Sequence, residues 1–114
     1  MSDRRTLHRR HLIYYLKVLD RNTDELLGHL VDITEEGLMI VSETCYDQGL
    51  LMKMKMLLPR EIEGKEDIEF DAQVMWCRRD VNPSLFGVGF KFEYVDVLSR
   101  QIIFELIHEF GFSD

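Results

Sequence analysis

The sequence is short of most of the features that announce chemistry. It has two cysteines, two prolines and one tryptophan in 114 residues. Its apolar runs are brief: Leu12-Ile13-Tyr14-Tyr15-Leu16 and Ile102-Ile103-Phe104 fall far below the ~20 residues of a membrane span. No membrane insertion is expected from them. No apolar segment of signal-peptide type follows the polar start Met1-Ser2-Asp3-Arg4-Arg5, so the expected location is cytoplasmic. There is no glycine-rich phosphate loop, no Gly-x-Ser-x-Gly, and no Ser/His/Asp or Cys/His arrangement, and hence no catalysis is expected. His8, His11, His29 and His108 have no carboxylate or cysteine at metal-ligand spacing, so neither a metal nor a cofactor is expected. Cys45 and Cys77 are 32 positions apart and belong to no CxxC pair. They read as two buried free thiols in a reducing compartment, with a disulfide the alternative. Repeats, low-complexity tracts and Pro-rich linkers are missing as well.

What is present suffices for one domain with one core: 46% of the residues are apolar. The net charge of −7 is unevenly spread. Residues 1–11 hold four arginines and one aspartate, whereas the rest of the chain holds ten basic and twenty acidic side chains. An acidic body argues against broad binding of DNA or RNA. A basic arm on such a body suits a compact anionic ligand, or an acidic surface elsewhere.

Period-two alternation predicts a succession of strands. The first runs from about Leu12 to Leu19. A hairpin at Asp20-Arg21-Asn22-Thr23-Asp24 leads into a run that places Leu26, Gly28, Leu30 and Asp32 on one face. After a turn at Thr34-Glu35-Glu36-Gly37 comes Leu38 to Ser42. Leu50 to Leu58 alternates Met52, Met54 and Met56 against Leu51, Lys53, Lys55 and Leu57, and Pro59 is expected to end it. The methionines read as barrel core, with an adaptable partner surface as the other use of such a row. Arg60 to Asp67 reads as a charged loop. Ile68 to Arg78 then places Ile68, Phe70, Ala72, Val74 and Trp76 on one side, and Leu85 to Tyr94 is the last strand. The period changes after Asp96, which can cap a helix. Ile102, Ile103, Leu106 and Phe110 recur at helical spacing, and Gly111 is placed to stop it. About six short antiparallel strands followed by one helix imply a small barrel or sandwich, whose closure would remove exposed edges.

Two segments carry the candidate function. In Arg4-Arg5-Thr6-Leu7-His8-Arg9-Arg10 the guanidinium groups offer forked donors for phosphate oxygens and guanine edges, and flat faces for stacking. Alone, such a cluster is more often a solvated tail. In Asp32-Ile33-Thr34-Glu35-Glu36-Gly37 a carboxylate can accept from a guanine edge or an arginine, a hydroxyl can serve backbone or ligand, and Gly37 can take the positive φ of a tight reversal. Alone, it is more often an ordinary turn.

Together, in this order and with 22 residues between Arg9 and Asp32, the segments resemble the PilZ domain signature, Arg-x-x-x-Arg followed by Asp/Asn-x-Ser-x-x-Gly. Ala72-Gln73-Val74-Met75-Trp76 resembles the family's late strand, and Phe86-Gly87-Val88-Gly89-Phe90-Lys91-Phe92 the glycine-containing strand after it. The likeness extends over roughly residues 4–110. It implies a six-stranded antiparallel split β-barrel with a C-terminal α-helix, in one domain over residues 1–114: an arm (1–11), a barrel (12–94) and a helix (96–110). It further implies a receptor for cyclic di-GMP, often taken up as a stacked dimer, that acts on an effector protein as monomer or homodimer. Arg5 and Arg9 would contact phosphates and guanine, with Arg4 in support. Asp32 would bind the guanine edge, Thr34 a phosphate or base, and Gly37 would permit the turn. Binding would order the arm and change the surface shown to a partner. Motility, exopolysaccharide production and biofilm formation are the processes such receptors serve. Two departures stand out: the usual serine is Thr34, and Glu35 and Glu36 put two negative charges beside a site for a dianion. The alternatives are a degenerate family member that binds only protein, and a small barrel for single-stranded nucleic acid.

Overall fold

The computed structural model describes residues 16–110. Six strands form in chain order: β1 (Lys17–Asp20), β2 (Leu26–Ile33), β3 (Gly37–Ser42), β4 (Leu51–Ile62), β5 (Lys65–Arg79) and β6 (Phe86–Tyr94). One helix, α1 (Val97–Phe110), follows. Every pairing is antiparallel, and the order β1-β2-β3-β6-β5-β4 closes on itself because β4 also pairs with β1. The expected barrel and terminal helix are therefore present. Residues 12–15 of the expected first strand, and Gly111 as the helix stop, lie outside the described residues.

Alternation explains the core. Val18, Leu30, Ile40, Met54, Met56, Ile68, Phe70, Ala72, Val74 and Val88 are buried inside the barrel, and Ile102, Ile103, Leu106 and Ile107 of α1 join the same cluster. Met54 and Met56 are fully enclosed and the half-buried Met52 packs against the same core, so the methionine row is core. Phe70 and Phe92 meet edge to face with centroids 5.1 Å apart. Asp96 caps α1 as its sequence position suggests: its Oδ1 accepts from the Ser99 amide at 2.7 Å.

Among the described residues the strand pairing shifts register at several points, and three of them change what the sequence led one to expect. Pro59 does not end β4. The β4–β5 register shifts between Leu57 and Ile62, and a residue without an N–H is accommodated in that irregular stretch. The expected loop 60–67 is instead the end of a long hairpin, turned at Glu63 and Gly64, both with positive φ (53° and 79°). In β2 a register shift between Leu30 and Asp32 changes the parity of the strand. Ile33 rather than Asp32 follows Leu30 into the core, and Asp32 is exposed. In β5 a shift between Val74 and Trp76 does the same. Trp76 leaves the face it shares with Val74 under strict alternation, and Cys77 packs against the core in its place.

The cysteines also differ from expectation. A disulfide joins Cys45 and Cys77, with Cα atoms 5.9 Å apart. Cys45 is exposed and Cys77 half-buried, so neither is a buried free thiol.

Candidate functional site

The two parity changes converge on one cavity of about 750 Å³. Its walls come from the β2–β3 turn (Asp32 to Gly37), from Met75 and Trp76 of β5, from the Gly89–Glu93 stretch of β6, and from Arg100 of α1. Asp32, Thr34 and Gly37 are thus brought together. Arg4, Arg5 and Arg9 lie outside the described residues.

The turn is internally braced. The Thr34 amide donates to the Gly37 carbonyl at 2.9 Å, and Thr34 Oγ1 accepts from the Glu36 amide at 3.2 Å. Asp32 Oδ1 accepts from the Ile33 amide at 2.9 Å. The Phe92 amide donates to the Glu36 carbonyl at 2.9 Å, which ties the turn to β6. The local bonds hold the Asp32 and Thr34 side chains in place beside the cavity while leaving further acceptor capacity on both.

Gly37 has a different role from the one expected. Its φ is not positive. It pairs with Lys91 across the β3–β6 ladder, where a Cβ would stand 2.0 Å from the Phe90 carbonyl oxygen. Glycine is needed for close backbone approach, not for a left-handed turn. A second close approach shapes another part of the lining. A Cβ on Gly89 would stand 2.3 Å from the Trp76 ring, so the indole lies directly on the backbone of β6. Arg78 stacks on the indole, with its guanidinium carbon 4.2 Å from the ring centroid.

Electrostatically the described lining is acidic. Asp32, Glu35, Glu36 and Glu93 face Lys91 and Arg100 only. Trp76, Lys91 and Arg100 line the cavity without being among the site residues expected from the sequence. Arg100 did carry a signal, since a cation in the first turns of a helix opposes the macrodipole and calls for another reason to be there. Trp76 was visible within its motif, but strict alternation turned it the wrong way. Among the described residues no group of three or more His, Cys, Asp or Glu is arranged to hold a metal ion. No helix among them is long and apolar enough to cross a membrane.

Comparison with known proteins gives a consistent placement. The PilZ domain family model matches residues 3–109. No curated protein matches the chain. Among solved structures, the inhibitor of motility MotI/DgrA from Bacillus subtilis is similar at 15% identity and a TM-score of 0.65, over 82% of this chain and 45% of that one. This chain therefore spans less than half of that protein. The PilZ domain of YcgR from Escherichia coli, solved with c-di-GMP, is similar at 19% identity and a TM-score of 0.56, over 83% of this chain and 82% of that one. Likeness at these identities is likeness of fold. The family match covers nearly the whole sequence, includes both motifs and agrees with the barrel, and on that ground the chain belongs to the PilZ domain family, whose domains are regulatory receptors and adaptors rather than enzymes.

Proposed function

We propose that this chain is a cyclic di-GMP receptor that holds its ligand between the cavity described above and the arginines of its N-terminal arm. The observation that carries the proposal is the charge of the cavity. Asp32 and Thr34 supply acceptors suited to a guanine edge, and Trp76 supplies a flat apolar wall. Four carboxylates against two cations cannot by themselves hold a dianion. The missing positive charge is what Arg4, Arg5 and Arg9 provide, and the family match begins at residue 3, so it takes in the arm. The c-di-GMP complex of the YcgR domain supports the choice of ligand.

In this reading residues 1–114 act as one domain, in the cytoplasm, as monomer or homodimer. Ligand binding orders the arm, and the altered surface engages an effector protein. A role in motility is favoured by the structural likeness to an inhibitor of motility.

The test is calorimetric titration of cyclic di-GMP into the wild type and into Arg5→Ala/Arg9→Ala. Saturable binding is expected for the wild type, with one or two ligands per chain. The double variant should show no measurable heat and an unchanged melting temperature. A silent wild type at several temperatures would leave a protein-only adaptor as the reading to pursue.

A further inference from the structure

We propose that the Cys45–Cys77 disulfide is a redox latch on the cavity, opened by a dithiol reductant and acting through Trp76. The β3–β4 connection, residues 43–50, is tied to β5 at two points. At one, the Gly49 amide donates to the Val74 carbonyl at 2.7 Å and the Val74 amide donates to the Leu50 carbonyl at 2.9 Å. At the other, Cys45 is bonded to Cys77. The two anchors bracket Met75 and Trp76, the residues of β5 that line the cavity.

This bracketed stretch is also where β5 loses its regular pairing with β6, because the register shifts between Val74 and Trp76. A bulge has fewer ladder bonds to fix it than a regular strand, so its geometry depends more on outside anchors. Cys77 follows Trp76 directly and is paired with Val88, while Trp76 is paired with Gly89 and rests on it. Releasing the Cys77 anchor therefore loosens the segment that presses the indole onto β6. Cys45 is exposed, so a reductant reaches the bond without unfolding the barrel.

The chemistry balances as ordinary thiol–disulfide exchange. One thiolate of the dithiol attacks Sγ of Cys45, and the Cys45–Cys77 bond breaks with its electron pair leaving on the Cys77 sulfur, which takes a proton. The second thiol of the reductant then displaces Cys45 from the mixed disulfide, and Cys45 is protonated in turn. Two electrons and two protons pass to the protein, and the dithiol becomes a disulfide.

The ligand readout rests on the receptor reading above; the tryptophan readout does not. The experiment uses the full chain oxidised with glutathione disulfide, the same protein reduced with dithiothreitol, and Cys45→Ser/Cys77→Ser. Thiols are counted by alkylation and mass, acrylamide quenching reports the accessibility of the single tryptophan, and titration gives the affinity for cyclic di-GMP. The expected result is no alkylatable thiol before reduction and two after it. Quenching of Trp76 should rise on reduction, and affinity should fall by about five-fold, the low end of coupling between linked sites. The double variant should match the reduced wild type and ignore dithiothreitol. Unchanged quenching on full release of both thiols overturns the proposal whatever the affinity does, as do two thiols that remain alkylatable after oxidation. A quenching change without ligand binding in either form upholds the latch and removes the receptor reading instead.

Discussion

At the scale of single residues, Gly37 separates two explanations that a motif alone cannot. A glycine in the last position of a turn motif suggests a left-handed backbone, yet here the constraint is a carbonyl oxygen 2.0 Å from where a side chain would begin. The obstacle is backbone in a hydrogen-bonded ladder, which cannot step aside as a side chain can. Gly37→Ala should therefore lower stability by about 3 kcal/mol, in the upper range for overpacking, measurable by urea denaturation. Gly89 offers the contrast. Its neighbour is the Trp76 indole, which can swing, so Gly89→Ala should move the tryptophan emission more than the denaturation midpoint. A Gly37→Ala protein as stable as the wild type would show that the β3–β6 ladder yields more readily than its geometry implies.

At the scale of elements, bulges and caps do the positioning. One irregularity in β2 turns Asp32 outward and one in β5 turns Trp76 outward, and both serve the same cavity. The helix that supplies Arg100 is fixed by its cap. The Ser99 amide and side chain hydrogen-bond the Asp96 carboxylate and, with a smaller contribution from Lys65, hold its pKa below the ordinary value of 3.8. A lowered folded pKa means that folding favours the ionised form. The cap's contribution is thus complete above the ordinary aspartate range and is lost as the pH falls through the lowered folded value. Asp96→Ala should cost about 1 kcal/mol at pH 7, as typical N-cap losses do. The difference between variant and wild type should shrink as both are denatured at progressively lower pH. A gap that persists undiminished below pH ~2, well under ordinary aspartate values, would assign the effect to something other than the charged cap.

For the whole molecule the governing fact is charge. A body of strong negative charge carries a cavity that is itself acidic, while four arginines stand together near the N-terminus. Glu35 and Glu36 are exposed on the turn that lines the cavity, so a dianion bound there would feel them within a Debye length of about 8 Å at physiological salt. Glu35→Gln/Glu36→Gln should tighten cyclic di-GMP binding by about three-fold at low salt, and the gain should fade toward 1 M salt as the Debye length contracts to about 3 Å. A gain independent of salt would point to a contact rather than a field.

The sequence by itself determined the number and order of the strands, the helix and its cap, and the two motifs on which the family likeness rests. Each of these is written in local signals: period-two or helical alternation, turn formers and a short run of matching residues. Tertiary structure alone decided which way Asp32 and Trp76 point, because a bulge is a choice made between two strands and leaves little trace in either one. It decided that Pro59 sits within a strand and that residues 60–67 complete a hairpin. It decided, too, that Cys45 and Cys77 meet, since their proximity depends on a loop folding onto β5. The physical reason is common to all of these: alternation records which residues a strand wants buried, whereas register, and with it every outward-facing site, is fixed only when the partner strands arrive.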